Sequence, residues 1–73
     1  MFEYLVEQRK KHNISRQELA KKVNISVRTY EKYESGELDI RKARFDVVTD
    51  ICEILEINTR QLLFEYRKYI IEK

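Results

Sequence analysis

The apolar residues of this chain recur at intervals of three and four, the spacing of one face of an α-helix. Polar residues separate the apolar stripes and predict five helices. We expect helices over residues 1–12, 16–23, 27–35, 44–56 and 59–72, with a polar connector at 37–42. The fourth segment is rich in β-branched residues, yet it lacks the period-two alternation of a strand. The chain is therefore predicted to be all-α.

The inward faces of these helices supply one modest core, which is what 73 residues can build. The residues expected there are Phe2, Leu5, Val6, Leu19, Ala20, Val23, Ile25, Tyr30, Tyr33, Phe45, Val48, Ile51, Cys52, Leu55, Leu62, Leu63, Tyr66, Tyr69 and Ile70. No linker, repeat or low-complexity tract interrupts the pattern. We therefore expect a single domain over residues 1–73.

Capping residues join the second and third predicted helices through a sharp turn. Ser15 followed by Glu18 is a capping box, in which each side chain bonds the other residue's amide. Asn24 tolerates the left-handed backbone that such a turn requires. Ser26 caps the next helix, and Gly36, the only glycine, suits the position that ends it. This pattern is typical of a helix-turn-helix, which makes DNA the leading candidate ligand.

Further signals mark the other boundaries. Asn13 suits a left-handed turn after the first helix, and Asn58 with Gln61 is a capping signal for the last one. We interpret His12 as a favourable charge near a helix C-terminus rather than as a ligand.

Composition excludes several classes of function. A lone cysteine excludes an internal disulfide and suits a reducing compartment, and one histidine and one cysteine forty residues apart make no metal site. No segment resembles a membrane span, a signal peptide, a catalytic nucleophile with its base, or a phosphate-binding glycine loop. We expect a cytoplasmic protein that is not an enzyme and has no cofactor, metal or evident small-molecule ligand.

The net charge of +2 is unevenly distributed. Residues 1–44 hold 11 Lys and Arg against 7 Asp and Glu, whereas residues 45–73 hold 4 against 6. The basic excess therefore lies in the half with the two-helix motif, as expected for a nucleic-acid contact. Solvated helix faces would produce the same excess, so charge alone leaves both interpretations open.

The ordered elements Arg9, Leu19-Ala20, Tyr33-Glu34-x-Gly36 and Leu55-x-Ile57 with Leu62-Leu63 resemble the Cro/repressor-type helix-turn-helix domains. These are five-helix regulators of lambdoid phages and xenobiotic-response-element-type bacterial proteins. The resemblance covers nearly all of residues 1–63 and implies a lambda-repressor-like fold. The chain departs from the family where Arg16 replaces the usual glutamine, Asn24 the usual glycine and Tyr30 a smaller aliphatic residue. The connector also lacks the usual proline, and residues 64–73 extend the last helix beyond the shared core.

The resemblance implies that the third helix reads DNA. Val27, Arg28 and Lys32 match positions that face base edges, and Thr29, which lies close to the backbone in the family, completes the expected base-contacting set. An arginine can bond a guanine edge at two points, a lysine at one, and valine can touch a thymine methyl. The alternative is that Arg28 and Lys32 only solvate an exposed face.

Other matches imply contacts outside the base pairs. The residues expected at phosphates are Ser15, Arg16, Lys42 and Arg44; the alternative for the three cations is an ordinary exposed surface position. In the family, the positions of Arg9 and Glu34 form a structural salt bridge between the first and third helices. The alternative for Arg9 is a phosphate contact.

These observations indicate a sequence-specific regulator that binds double-stranded DNA, most simply a repressor on a near-palindromic operator. We expect a homodimer, because one recognition helix reads only a few base pairs. Its expected interface is Ile54, Ile57, Phe64, Ile70 and Ile71; alternatively, the last helix closes a monomer that dimerises only on DNA. The alternative function is an antitoxin-like or adaptor module on the same scaffold, which would show apolar anchors on the third helix.

Overall fold

A computed structural model describes residues 1–72, and all regular structure in that range is helical. The elements are α1 (Glu3–Lys11), α2 (Arg16–Lys22), α3 (Val27–Ser35), a 3₁₀ turn (Ile40–Lys42), α4 (Phe45–Ile54) and α5 (Thr59–Glu72). The all-α, five-helix prediction is confirmed. The expected extension over residues 64–73 continues α5 as far as Glu72, and Lys73 lies outside the described residues.

The helix-turn-helix is built by α2 and α3, and its predicted caps are present. Ser15 Oγ accepts the Glu18 amide at 3.1 Å, and the Glu18 carboxylate accepts the Ser15 amide at 3.3 Å. Ser26 Oγ accepts the Thr29 amide at 3.1 Å. These bonds satisfy amides that the first turn of each helix leaves free, so both helices begin where the sequence predicts.

Left-handed residues follow α1, α2, α3 and α4. Asn13 (φ 54°), Asn24 (φ 61°) and Gly36 (φ 87°) were expected to adopt this conformation. Glu56 (φ 54°) was not, because glutamate rarely adopts positive φ. Each of these residues turns the chain sharply enough for the next helix to pack back on the core.

The core is formed by all five helices and the 3₁₀ turn. α2 packs on α3 and α4, while α5 packs on α1, α4 and the 3₁₀ turn. The buried apolar residues are Phe2, Leu5, Leu19, Ala20, Val23, Tyr30, Ile40, Val47, Val48, Ile51, Cys52, Leu55, Leu62 and Tyr66. Tyr33, Ile25, Tyr69 and Ile70 are partly buried against this cluster.

Two expectations about the α3–α4 region were wrong. Phe45, placed in the core by the sequence pattern, is 79% exposed because Val47 and Val48 complete the inward face of α4 instead. The connector was expected to be polar, yet it folds into the 3₁₀ turn and buries Ile40 completely. A single apolar residue in a polar segment gives no periodicity to detect.

The capping signal at Asn58 is partly realised. Asn58 Oδ1 accepts the Arg60 amide at 2.7 Å, but the Gln61 side chain donates to Glu65 at 2.8 Å instead of returning to the cap. His12 caps the C-terminus of α1, with Nδ1 3.0 Å from the Gln8 carbonyl oxygen and Nε2 3.3 Å from Glu56.

The α3–α4 connector is held against α5. The Arg41 guanidinium bonds both carboxylate oxygens of Asp39, with a closest distance of 2.7 Å, and lies 5.3 Å from the ring centre of Tyr66. These hydrogen bonds hold the pKa of Asp39 below its usual value. The Tyr69 hydroxyl lies against the backbone of Gly36. The second half of α5 therefore supports the end of α3.

Glu34, in the last turn of α3, connects that helix to α1. Its carboxylate accepts the Arg9 Nε–H at 2.6 Å, and both side chains are buried. Its backbone carbonyl accepts the Phe2 amide at 2.7 Å. Arg9 also donates to the Ile14 carbonyl at 3.0 Å. The expected structural ion pair is therefore present, and it joins α1, the α1–α2 turn and α3.

We expect Gly36→Ala to destabilise the fold by at least about 1 kcal/mol, because alanine disfavours positive φ. A Cβ here would also collide with the Tyr69 hydroxyl. Urea unfolding of Gly36→Ala, Tyr69→Phe and the double variant separates the two causes. Tyr69→Phe should relieve the collision but not the strain of the positive φ. The double variant should therefore lose less free energy of unfolding than the two single variants added together. Strict additivity would show that the hydroxyl does not restrict this position.

We expect Arg9→Ala and Glu34→Ala each to lower the free energy of unfolding by about 3–5 kcal/mol, because either change leaves a buried charge without its partner. The double variant should cost less than the sum of the two. Chemical denaturation of all four proteins measures this coupling, and exposed Lys10→Ala on the same helix is the control. Zero coupling energy would contradict the assigned pair.

Candidate nucleic-acid interface

The outward face of α3 carries two cations without ion-pair partners in the described part of the chain. Arg28 lies in the first turn and is exposed, and Lys32 is half-buried one turn later. They line one groove of about 340 Å³ that comprises Arg28, Glu31, Lys32, Ser35 and Glu37. Their spacing of four places both on one side of the helix, where both can face the same groove of a duplex.

A second cleft of about 270 Å³ joins the start of α2 to the start of α3. It is lined by Ser15, Arg16, Gln17, Val27 and Glu31. The two helices meet here, so a residue expected at phosphate and one expected at a base edge share a concave surface. Gln17 was not predicted to lie there, and Glu31 was expected on the outward face of the third helix but not beside Arg16. Their positions depend on how α2 crosses α3, which no local signal in the sequence gives.

Glu31 places a carboxylate between the expected DNA-contacting cations. Its Oε2 lies 3.9 Å from Arg16 Nη1, and each side chain is about half exposed. An exposed pair at this distance contributes little stability. The Arg16 guanidinium is therefore positioned beside α3 but remains free to turn toward a different anion.

The other residues of the helix-turn-helix retain hydrogen-bonding capacity. Ser15 Oγ uses a lone pair to accept the Glu18 amide, which leaves its hydroxyl hydrogen free to donate. Thr29 Oγ1 accepts a hydrogen bond from Ser26 Oγ at 2.9 Å and likewise keeps its own hydrogen. Val27, expected to be exposed, is partly buried against the core and presents only part of its side chain to the cleft.

The basic residues that precede α4 lie outside both clefts. Lys42 is exposed and has no ion-pair partner among residues 1–72, whereas Arg44 Nε lies 3.3 Å from the Asp46 carboxylate. Arg41 was not predicted to contact a ligand, and its bonds to Asp39 show that it holds the connector in place.

The residues expected at a dimer interface divide into two groups. Phe64 (55%) and Ile71 (80%) are strongly exposed on α5. Ile54, Ile57 and Ile70 are partly buried against the core and leave only part of each side chain for another contact. The exposed pair is seven residues apart, so both lie on one side of the helix.

The metal-ligating side chains, the lone cysteine and the helix lengths bear on other kinds of site within residues 1–72. In that range no group of His, Cys, Asp and Glu is arranged to hold a metal ion. Cys52 is buried, and burial raises the pKa of its thiol. None of the described helices combines the length and the apolar character needed to cross a bilayer.

Comparison with known proteins agrees with this geometry. A family model described as helix-turn-helix matches residues 5–62 and therefore includes both helices of the motif, the Arg9–Glu34 pair and the start of α5. No curated protein and no solved structure matched the chain. The family match covers most of the sequence and coincides with the observed elements. The chain belongs to the helix-turn-helix family of the Cro/repressor type, a family of DNA-binding regulators.

Proposed function

We propose that this protein is a sequence-specific transcriptional repressor that binds a near-palindromic operator in the cytoplasm. The observation that carries the proposal is the outward face of α3, where Arg28 and Lys32 stand without ion-pair partners in the described chain. An adaptor module would instead need apolar anchors on this face. Occupancy of an operator would block access of the polymerase to the promoter.

In this proposal, α3 enters the major groove. Arg28 bonds the O6 and N7 atoms of a guanine. Lys32, one turn further along α3, donates to a second acceptor on the base edges. Val27 offers its exposed methyl surface to a thymine methyl, and the Thr29 hydroxyl donates to a base edge or to the adjoining backbone. These four side chains provide the sequence preference.

Contacts with the DNA backbone hold α3 in register. Ser15 and Arg16 approach one phosphate from the start of α2, and Lys42 and Arg44 approach the backbone from the end of the connector. Phosphate contacts add affinity that depends on salt but not on sequence.

A dimer completes the proposal, because two copies set their recognition helices about 34 Å apart on the same side of the duplex. Support comes from Phe64 and Ile71, two large apolar side chains that the protein's own core leaves exposed. Selection of bound sequences from random duplexes tests both parts of the proposal. A symmetric motif with half-sites one helical turn apart is expected. No enrichment above that of random DNA would refute sequence-specific binding and favour the adaptor function.

We expect Arg28→Ala to weaken binding to the selected operator by about 1–3 kcal/mol and to relax preference at one base pair. Arg16→Ala is the matched control, since it removes the same charge from a predicted phosphate contact. It should weaken binding to all duplexes alike and reduce the log–log salt slope by about one unit. Fluorescence anisotropy titrations at several salt concentrations measure both. Equal losses on operator and random DNA for Arg28→Ala would reassign it to the backbone.

We expect Glu31→Gln to tighten binding to any duplex by up to about 1 kcal/mol, because it removes a carboxylate facing DNA and releases Arg16. The same titrations measure this change. Glu53→Gln, an exposed site on α4, changes net charge equally and is the control. Equal gains in the two variants would show that only net charge matters, and a loss of affinity would mean that Glu31 itself contacts the DNA.

A further inference from the structure

The outward side of α5 carries alternating cations and large apolar residues. Arg60, Phe64, Arg67 and Ile71 are all exposed and are spaced by four, three and four residues, so they form one line along the helix. We call these four residues the α5 stripe. Neither arginine has an ion-pair partner within residues 1–72. The stripe therefore presents two free positive charges with apolar surface between and beyond them, and the Lys68 ammonium lies 5.7 Å from the ring centre of Phe64.

A groove of opposite charge lies at the junction of α1 and α5. We call it the acidic groove. It has a volume of about 300 Å³, and its lining includes four glutamates, namely Glu3, Glu7, Glu65 and Glu72. Lys68 is the only basic side chain in the lining and lies 3.9 Å from Glu65. Met1, which is 66% exposed, and Tyr4 provide apolar surface there. Burial and then the charge of Glu65 raise the pKa of Tyr4, as expected beside carboxylates.

The two surfaces adjoin each other on α5. Glu65 directly follows Phe64 and Glu72 directly follows Ile71, so the acidic edge lies about 100° around the helix from the stripe. A two-fold axis near the border between them would bring the stripe of each copy to the groove of the other. One interface would then contain the same contact twice, as in an isologous dimer.

Direct contact of one stripe with another is disfavoured by charge. That arrangement would bring four unpaired arginines together in one interface, where like charges repel each other. Contact of the stripe with the acidic groove instead supplies a carboxylate for each arginine and apolar surface for Phe64. The same chain carries both halves of this complementary pair, which identifies a second copy as the occupant.

We propose that the protein dimerises by docking the α5 stripe of each copy into the acidic groove of its partner. The proposal rests on the dimer of the proposed function and specifies the surfaces that form it. Phe64 enters the groove, and Arg60 and Arg67 pair with its glutamates. Because the contact is partly ionic, added salt weakens it.

Paired charge reversals test this arrangement without DNA. The stripe variant is Arg60→Glu with Arg67→Glu, and the groove variant is Glu7→Lys with Glu72→Lys; all four sites are exposed. Sedimentation equilibrium should show that each variant alone dimerises at least about tenfold more weakly than the unmodified chain. An equimolar mixture should restore dimers, since both contacts then join opposite charges. Lys21→Glu with Lys22→Glu, exposed on α2, matches the charge change of the stripe variant and should leave dimerisation unchanged.

The outcomes separate the two proposals. Dimers that survive either reversal, or that fail to recover in the mixture, overturn the docking arrangement while leaving a dimer in place. An unmodified chain that stays monomeric up to millimolar concentration overturns both the dimer and this inference. A sedimentation mass larger than that of two copies of the unmodified chain overturns the two-fold arrangement. Far-ultraviolet circular dichroism verifies folding, and the single reversals Arg67→Glu and Glu7→Lys replace any double variant that does not fold.

Discussion

The buried contact between Arg9 and Glu34 is the constraint on which the position of α3 depends. Glu34 accepts a side-chain hydrogen bond from Arg9 and a backbone hydrogen bond from Phe2, so one residue of α3 is held at two points of α1. A buried ion pair is weak evidence for net stability, but its geometry is demanding because misplacement leaves a charge without a partner. The pair therefore fixes how α3 is oriented more than how tightly the protein folds.

Residues beyond the family match contribute to that orientation. The match ends at residue 62, yet Tyr66 is buried, stacks under Arg41 and meets the ring of Phe2 edge-on at 5.0 Å. Tyr69 lies against Gly36, where α3 ends. The C-terminal half of α5 thus contributes Tyr66 to the core on one side and exposes Ile71 on the other. A contact made by its outer side would act on a helix that directly supports the end of α3.

The local features of this structure were predicted from the sequence more completely than its tertiary contacts were. Ser15, Ser26 and Gly36 act through neighbours a few residues away, so their roles can be recognised from spacing alone. The exposure of Phe45 could not be recognised from spacing, because it depends on which side of α4 faces the core once Val47 is included. The proximity of Arg16 and Glu31 depends on the crossing of two helices, and it changes the composition of the candidate site. The Arg9–Glu34 pair was expected only from resemblance to a family.

Ion pairs within the protein limit which cations are free to meet DNA. Arg41 is bonded to Asp39 and Arg16 approaches Glu31, whereas Arg28 and Lys32 have no such partner in the described residues. Redirecting an exposed pair costs little, so the net basic excess still attracts the duplex. In the proposed complex, by contrast, Arg28 and Lys32 would bond base edges without breaking an ion pair inside the described part of the protein. In the proposed complex, sequence discrimination therefore falls to α3, and adjustable, salt-sensitive attraction falls to the residues around it.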